Sequence, residues 1–373
     1  MQIVLKDLPF HIGPSNQSNN VKGIPNLLDF KIGINEQYMI LEQVIAKNVI
    51  DLLGKGYSHG FTIGTPLNDT KFGSPYVEDF LEFILSNSSK RGQLLEIGAG
   101  TGFLSKRLAE NQFVVTSIEP GEGYETYHKQ LGIEVIKDFY PSQLITRKFD
   151  VIVMYAVLEH ILDLENFLSS ISNQLENHGT LFFAVPDCSQ EIYNVDATML
   201  IHEHISYFTE VSLANLLSMN GFECRIIKSN FARSLFVRAK LRKSDKFLFN
   251  STEDMILENF LNDIVTKIVR TKNYLKQIST YEEIAIYSPS RMLNLLPLDV
   301  TYTFVDDDPH LYGKFYPPFN AQVLNFKDLI QTDCKSVFIG SRTYESEIRK
   351  KLCKSNLNVV GLEELYTNSY NYC

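Results

Sequence analysis

No apolar run in this chain approaches the roughly 20 residues that a bilayer-crossing helix requires, so no membrane partner is expected. Cysteine is sparse. The five present (Cys188, Cys224, Cys334, Cys353 and Cys373) are scattered, odd in number and without a Cys-x-x-Cys pair, which points away from a disulfide framework and from a structural zinc site. Basic charge is also short, with 35 Lys and Arg against 44 Asp and Glu and a formal net charge of −9. Nucleic-acid phosphates are bound chiefly by clustered Lys and Arg, so no nucleic-acid partner is expected. The densest basic run, Arg238-Ala239-Lys240-Leu241-Arg242-Lys243, reads as a solvated strand end or linker. The segment Met1 to Asp7 alternates like a strand and lacks the basic stretch and small-residue cleavage site of a signal peptide, which makes a cytoplasmic protein the expectation.

What is present is enough chain for two or three cores: 373 residues, 44% hydrophobic and 21% charged. From Tyr76 to about Lys228 helical and strand patterns alternate. Strands are expected at Leu94 to Ile97, Val114 to Ile118, Ile133 to Ile136, Val151 to Tyr155, Thr180 to Val185 and Glu223 to Lys228. Helices are expected at Val77 to Leu85, Phe103 to Asn111, Leu164 to Leu175 and Val211 to Met219, the last stopped by Asn220-Gly221. That order predicts a doubly wound α/β sheet with its ligand crevice at the carboxyl ends of the strands. After Phe249 a capping sequence opens a helix of about seven turns, followed by short strand candidates of a second, smaller α/β unit. The expected division is a small cap over residues 1–75, a ligand-binding domain over 76–230 and a substrate domain over 231–373.

The run Leu94-Leu95-Glu96-Ile97-Gly98-Ala99-Gly100-Thr101-Gly102-Phe103 reads as a buried strand turning through glycines into a helix, and Glu119 ends the next strand. Glycines allow close approach of the backbone to a ligand at a helix N-terminus, and a second-strand carboxylate can accept from both ribose hydroxyls. A dinucleotide fingerprint would want glycine where Phe103 stands. With Glu96 before it, the turn instead resembles the first motif of the class I S-adenosylmethionine-dependent methyltransferases. The resemblance implies a Rossmann-like methyltransferase sheet, S-adenosylmethionine as cofactor, Glu96, Gly98, Gly100 and Gly102 around its methionine part, and Glu119 on its ribose. Val135-Ile136-Lys137-Asp138-Phe139-Tyr140 matches the third motif, which gives Asp138 the adenine amino group and Phe139 the adenine ring. Ala156-Val157-Leu158-Glu159-His160-Ile161 resembles the fourth, which places Ala156 at the cofactor and leaves His160 as a substrate contact or a packing residue at a helix start.

A second constellation is His202-Glu203-His204-Ile205-Ser206-Tyr207-Phe208. On a strand its histidines share a face, and with no further Cys or acidic cluster to complete a shell, no metal site is expected. A neutral imidazole oriented by a carboxylate suits a base better. This segment, together with Val305-Asp306-Asp307-Asp308-Pro309-His310-Leu311-Tyr312-Gly313-Lys314-Phe315-Tyr316-Pro317, resembles the C-methyltransferases of nucleotide-linked keto sugars, over roughly Tyr57 to Leu352. That family implies His204 as base with Glu203 beside it, substrate contacts from Tyr57, His160, His202 and Tyr207, and a C-terminal domain that closes over a nucleotide sugar.

Three features depart from the family pattern: Ile201 replaces a tyrosine before His-Glu-His, the N-terminal zinc cysteines are missing, and Tyr287-Ser288-Pro289-Ser290-Arg291 replaces a glycine-rich turn. Arg291 remains available for phosphate. The run Asp306-Asp307-Asp308 reads as a tight turn rather than a Mg²⁺ site. The expected reaction is methylation of a carbon next to a ketone through an enolate. O- or N-methylation of a small molecule, or cofactor binding without catalysis, are the alternatives. Oligomeric state is not legible.

Overall fold

Alternating buried and exposed residues build three sheets from the first half of the chain to the last, and the computed structural model describes residues 1–10, 13–15, 23–58, 70–88, 91–121, 124–242, 250–316 and 318–371. The N-terminal region forms β1 (Gln2–Pro9), β2 (Leu27–Asn35) and β3 (Ile40–Gln43), followed by helix α1 (Lys47–Ser58). These strands pair antiparallel, with Leu5, Leu8, Phe30 and Ile32 facing inward.

The central unit runs α2 (Ser74–Asn87), β4 (Gln93–Ile97), α3 (Phe103–Glu110), β5 (Val114–Ile118), α4 (Glu125–Leu131), β6 (Val135–Ile136), β7 (Phe149–Tyr155), α5 (Leu164–Gln174) and β8 (Leu175–Pro186). It continues through α6 (Ser189–Tyr193), β9 (Ser206–Tyr207), α7 (Glu210–Met219), β10 (Phe222–Lys228) and β11 (Ser234–Leu241). Seven of these strands make one sheet in the order β10-β11-β8-β7-β4-β5-β6. Capping chemistry marks its helices: Asp163 accepts from the Asn166 backbone at the start of α5, and Thr209 and Ser212 form a reciprocal capping box on α7. Gly221, at φ +83°, ends α7 in the left-handed conformation that its sequence suggested.

One strand departs from the expected pattern. β11 runs antiparallel between β8 and β10, and it ends in Arg238–Leu241, the first part of the basic run that had read as a solvated strand end or linker. Its apolar residues Leu235, Phe236, Val237 and Ala239 are all buried, so burial on both faces overrides the two cations between them. The sheet therefore extends past residue 230. β6 is shorter than expected, only Val135–Ile136.

The third unit begins with α8 (Asp254–Ile278), a 25-residue helix that buries Leu257, Phe260, Leu261, Ile264 and Leu275. Then come β12 (Ile284–Tyr287), β13 (Tyr302–Val305), β14 (Phe315–Tyr316), β15 (Ala321–Leu324), α9 (Phe326–Leu329), β16 (Ser336–Ile339), α10 (Glu345–Leu352), β17 (Asn358–Val360) and α11 (Leu362–Asn371). The strand order is β14-β15-β13-β12-β16-β17, parallel except for β14. One continuous core joins Leu5, Phe30 and Ile32 of the N-terminal sheet to the apolar face of α8 and to Ile284, Ile286 and Phe304 of this third sheet. The N-terminal sheet thus shares its core with the bridging helix and the third sheet. Its fourth strand is β9, contributed by the His-Glu-His segment. Among the described residues no helix is long and apolar enough to cross a membrane.

Candidate active site

The turn after β4 is built as its glycines require. Gly98, Gly100 and Gly102 sit at φ +75°, +52° and +78°, a region that side chains with a Cβ enter at a cost of about 1–2 kcal/mol. A Cβ on Gly98 would lie 2.6 Å from Val157 Cγ2, so the loop after β7 packs directly on the turn. At Gly100 a Cβ would meet nothing within 4 Å, so there is room on that side of the turn, while its N–H and carbonyl are both engaged within the protein. The Glu119 carboxylate ties the turn to the second strand, accepting from Gly100 N at 2.8 Å and from Gly121 N at 2.7 Å. His128 Nε2 donates to the Gly100 carbonyl at 2.6 Å.

Glu96 does something different from what the sequence suggested. Its side chain is 2% exposed and accepts from Ser105 Oγ beneath the turn, and burial pushes its pKa to about 8. It braces the glycine turn from below rather than lining a crevice. Asp138 accepts from Phe139 N at 2.8 Å and from Ser142 Oγ at 2.5 Å, so its own loop holds it in place, and the Phe139 ring is 56% exposed. Ala156 adopts φ +54° at the end of β7, the strained left-handed region, with its N–H donating to Ala184 O at 2.9 Å. An open glycine backbone, a carboxylate on the second strand and an exposed aromatic beyond the third make a donor and acceptor set that fits a nucleoside.

The His-Glu-His segment is fastened from three sides. From the N-terminal sheet, Gln43 N donates to Ile205 O at 2.7 Å, and the Gln43 side-chain amide, nitrogen inward, donates to His202 O at 3.0 Å and His204 O at 3.1 Å. From the loop after β7, Glu159 O accepts from Ile205 N at 2.7 Å, and His160 Nδ1 donates to Glu203 O at 2.7 Å. From the third unit, Asn294 Nδ2 donates to Ala197 O and Leu200 O just upstream. Gln43, Asn294 and Glu159 were not picked out from the sequence. For Glu159 the signal was present, since it sits inside the fourth motif next to His160.

Two candidates are held by their own surroundings. Tyr207 is fully buried with its hydroxyl 3.1 Å from both Ile201 N and Ile201 O. His202 is 1% exposed, packed between the rings of Phe10 and Phe30 at 5.1 Å each, and burial lowers its pKa to about 4. Residues 202–203 form a turn, with His204 N donating to Ile201 O at 3.0 Å, so the segment loses the strand alternation that would put both histidines on one face, while the Tyr207 ring stays 6.2 Å from that of His204. Tyr57 lies in α1, but its side chain is outside the described residues.

The remaining groups converge. His160 and His204 stand edge to face with centroids 4.9 Å apart. One oxygen of Glu159 and one ring nitrogen from each histidine lie within 4.8 Å of one another. The sequence reading, which found no third donor near His202 and His204, did not foresee this cluster, because Glu159 and His160 arrive from another loop. The Glu159 carboxylate is 1% exposed, and neither oxygen has a hydrogen-bond partner among the described residues. Burial raises Glu159 to about 8 and lowers His160 to about 4, while His204 is pushed well below the ordinary histidine range by burial, by His160 and by Arg291. Burial also raises Glu203 to about 8, opposed by Arg291. Arg291, from the turn after β12, therefore bears on the whole cluster. The Asp306 to Asp308 run is a turn: Asp306 accepts from Asp308 N, and Asp308 accepts from His310 N to open the short helix Pro309–Leu311. A cleft of about 450 Å³ opens beside it, between Lys71 and Phe72, Tyr127 of α4, and Asp307 to His310.

Residues 71–226 match the family described as Methyltransferase domain. Ubiquinone biosynthesis O-methyltransferase of Histophilus somni (strain 2336) is 30% identical over 111 residues, 26% of this chain and 47% of that protein. The protein of the same name from Actinobacillus pleuropneumoniae serotype 5b (strain L20) is 27% identical over 158 residues, 36% of this chain and 68% of that one. The chain thus spans from about half to about two thirds of the length of these curated relatives. Among solved structures, a S-adenosylmethionine-dependent methyltransferase from Clostridium acetobutylicum ATCC 824 aligns with TM-score 0.38 at 13% identity, over 47% of this chain and 93% of that one. A complex of DhpI with SAM and HEP aligns with TM-score 0.42 at 16% identity, over 53% and 100%. Over residues 71–226, which hold the glycine turn, the loop after β7 and the His-Glu-His segment, the chain is thus similar to a methyltransferase domain.

Proposed function

We propose that the chain methylates a carbon next to the ketone of a nucleotide-linked sugar or a related polar metabolite, with His204 as the base. The observation that carries this reading is the placement of His204 against the loop that packs on the glycine turn, through Val157 on Gly98 and His160 on His204. When bound, S-adenosylmethionine supplies an electrophilic methyl group. Glu119 and the Gly100 backbone would hold its ribose side, and Asp138 with Phe139 its adenine. A carbon beside a ketone becomes nucleophilic only when its proton is removed. A neutral imidazole kept out of water can take that proton, because burial holds His204 in its unprotonated form at working pH. Arg291 supplies the positive charge that an anionic nucleotide carrier would need. The N-terminal sheet, the central unit through β11 and the unit from α8 onward then act as a splinting sheet, a cofactor domain and a substrate domain.

The test uses nucleotide-linked keto sugars in deuterated water without cofactor, read by mass spectrometry. Deuterium entering the carbon next to the ketone, and failing to enter with His204→Ala, is the expected result. A second reading, O-methylation, is favoured by the names of the curated relatives. It predicts methyl transfer with no exchange at carbon, because a hydroxyl nucleophile requires no enolate.

A further inference from the structure

We propose that Glu159 and His204 work as one proton-accepting pair, with Glu159 the positioning carboxylate through which His204 removes the substrate proton. This deepens the reading of His204 as the base. The sequence offered Glu203 as the carboxylate beside that histidine, since the two are adjacent in the chain. The geometry points to Glu159, whose carboxylate is the one that comes within 4.8 Å of the ring nitrogens of both His160 and His204.

Three observations bear on the pair. First, the loop and the segment that carry them are locked together by Ile205 N on Glu159 O at 2.7 Å and by His160 Nδ1 on Glu203 O at 2.7 Å, so the pair is preorganised. Second, the His160 bond fixes its tautomer. A carbonyl can only accept, so Nδ1 carries the hydrogen, and Nε2, 4.0 Å from Glu159 Oε1, is the bare acceptor. His160 in that form cannot donate to the carboxylate, which leaves His204, with one ring nitrogen within 4.8 Å, as the imidazole of the cluster that can turn an N–H toward it. Third, both Glu159 oxygens are buried and without a hydrogen-bond partner among the described residues. A buried carboxylate in that condition costs stability, and such costs concentrate at functional sites.

The step balances as follows. In the form competent as a base the pair carries one negative charge, with Glu159 ionised and His204 neutral. The carbon–hydrogen bond breaks, its electrons stay with the substrate as the enolate, and the proton bonds to the His204 nitrogen. The imidazolium so formed is neutralised by the Glu159 carboxylate, so the pair becomes neutral and the substrate takes the negative charge. Without the carboxylate, an imidazole desolvated and faced by His160 and Arg291 is too weak a base, because both neighbours and burial disfavour its charged form. The groups that bear on Glu159 and His204 are Tyr155 on β7, His160, Cys188 beside α6, Glu203, Tyr207 and Arg291. Glu159 is raised to about 8, so the competent form should gather as pH rises through that value.

The experiment needs no substrate. The whole chain, labelled with nitrogen-15 in histidine and carbon-13 in the glutamate carboxyl, is titrated by NMR from about pH 6 to about pH 10. The expected result is a shared transition of the Glu159 carboxyl and the His204 ring nitrogens near pH 8, lost from His204 in Glu159→Gln and kept in Glu203→Gln. If Glu159→Gln does not fold, Glu159→Asp should keep the His204 transition at a displaced midpoint. A His204 ring that shows no transition in this range, or that titrates identically without the Glu159 carboxylate, overturns the pair. So does a wild-type spectrum that changes on chelation and returns with added divalent cation, because the three side chains would then serve a metal. Failure here leaves the deuterium-exchange test of His204 standing, so the two results can be told apart.

Discussion

Two turns occupy the same place in two sheets, and the chain solves them differently. After β4, three glycines take positive φ values, and a side chain at Gly100 would point into open space. After β12 there is no glycine, and Ser288 is forced to φ +54° while its N–H donates to Val305 O at 2.8 Å. Ser288 O in turn would lie 2.3 Å from a Cβ on Gly340, so the glycine needed by the third sheet has moved to the end of the neighbouring strand, β16. The first turn spends its glycines on approach to a ligand; the second keeps side chains and offers Arg291 instead. A backbone cradle recognises a shape held close, whereas a guanidinium reaches for charge at a distance.

The largest expected effect falls where the two turns converge. His204 packs on His160, from the same loop as the Val157 that meets the first turn, and lies within the field of Arg291 from the second. His204→Ala should lower turnover by about 10²–10⁴-fold, the usual worth of a general base, with calorimetric affinity for S-adenosylmethionine unchanged. A loss of cofactor affinity in that variant would mean that the two sites are not separable.

Gly98→Ala should be next. It adds left-handed strain of about 1–2 kcal/mol and drives a methyl into Val157, so cofactor affinity should fall about tenfold or more by calorimetry. Arg291→Ala should weaken a nucleoside diphosphate by about tenfold, as expected for a charge-assisted hydrogen bond, and leave the methyl donor's affinity alone. If both ligands weaken together, the two turns serve one molecule.

Ser288→Gly should raise stability in urea by no more than about 1 kcal/mol, because relief of the left-handed strain is partly offset by the greater freedom of glycine in the unfolded chain. A pH series sharpens the first turn further. Glu96 is raised to about 8 in the folded protein from an ordinary 4.5, so the folded state holds a proton that the unfolded state releases earlier. Its stabilising contribution is complete below about pH 4.5 and drains away as pH rises towards 8, and Glu96→Gln should flatten that part of the curve of unfolding midpoint against pH.

The elements that were legible in the sequence are those whose pattern is local. β5 runs over Val114–Ile118 and α8 over Asp254–Ile278 because apolar period and capping residues state both without outside help. β11 was not legible, since a cationic strand between two others is decided by its neighbours rather than by its own alternation. The same distinction runs through the site. Glycine positions follow from backbone conformation and could be read directly, and His204 stands in a recognisable pattern. The burial of Glu96, Tyr207 and His202 was not legible, because their chemistry suits a ligand and what covers them comes from other elements. Glu159 and Gln43 matter through contacts made across more than 40 residues of chain, which no local pattern carries.

The pairing of Ser206–Tyr207 with β3 means that His204, the proposed base, rides on a rail laid by residues some 160 positions upstream. A chain trimmed before residue 44 would keep every strand of the central sheet, yet its reacting imidazole would hang without the Gln43 bracket. The opening sheet would thus set the alignment of a reaction carried out entirely by its neighbours.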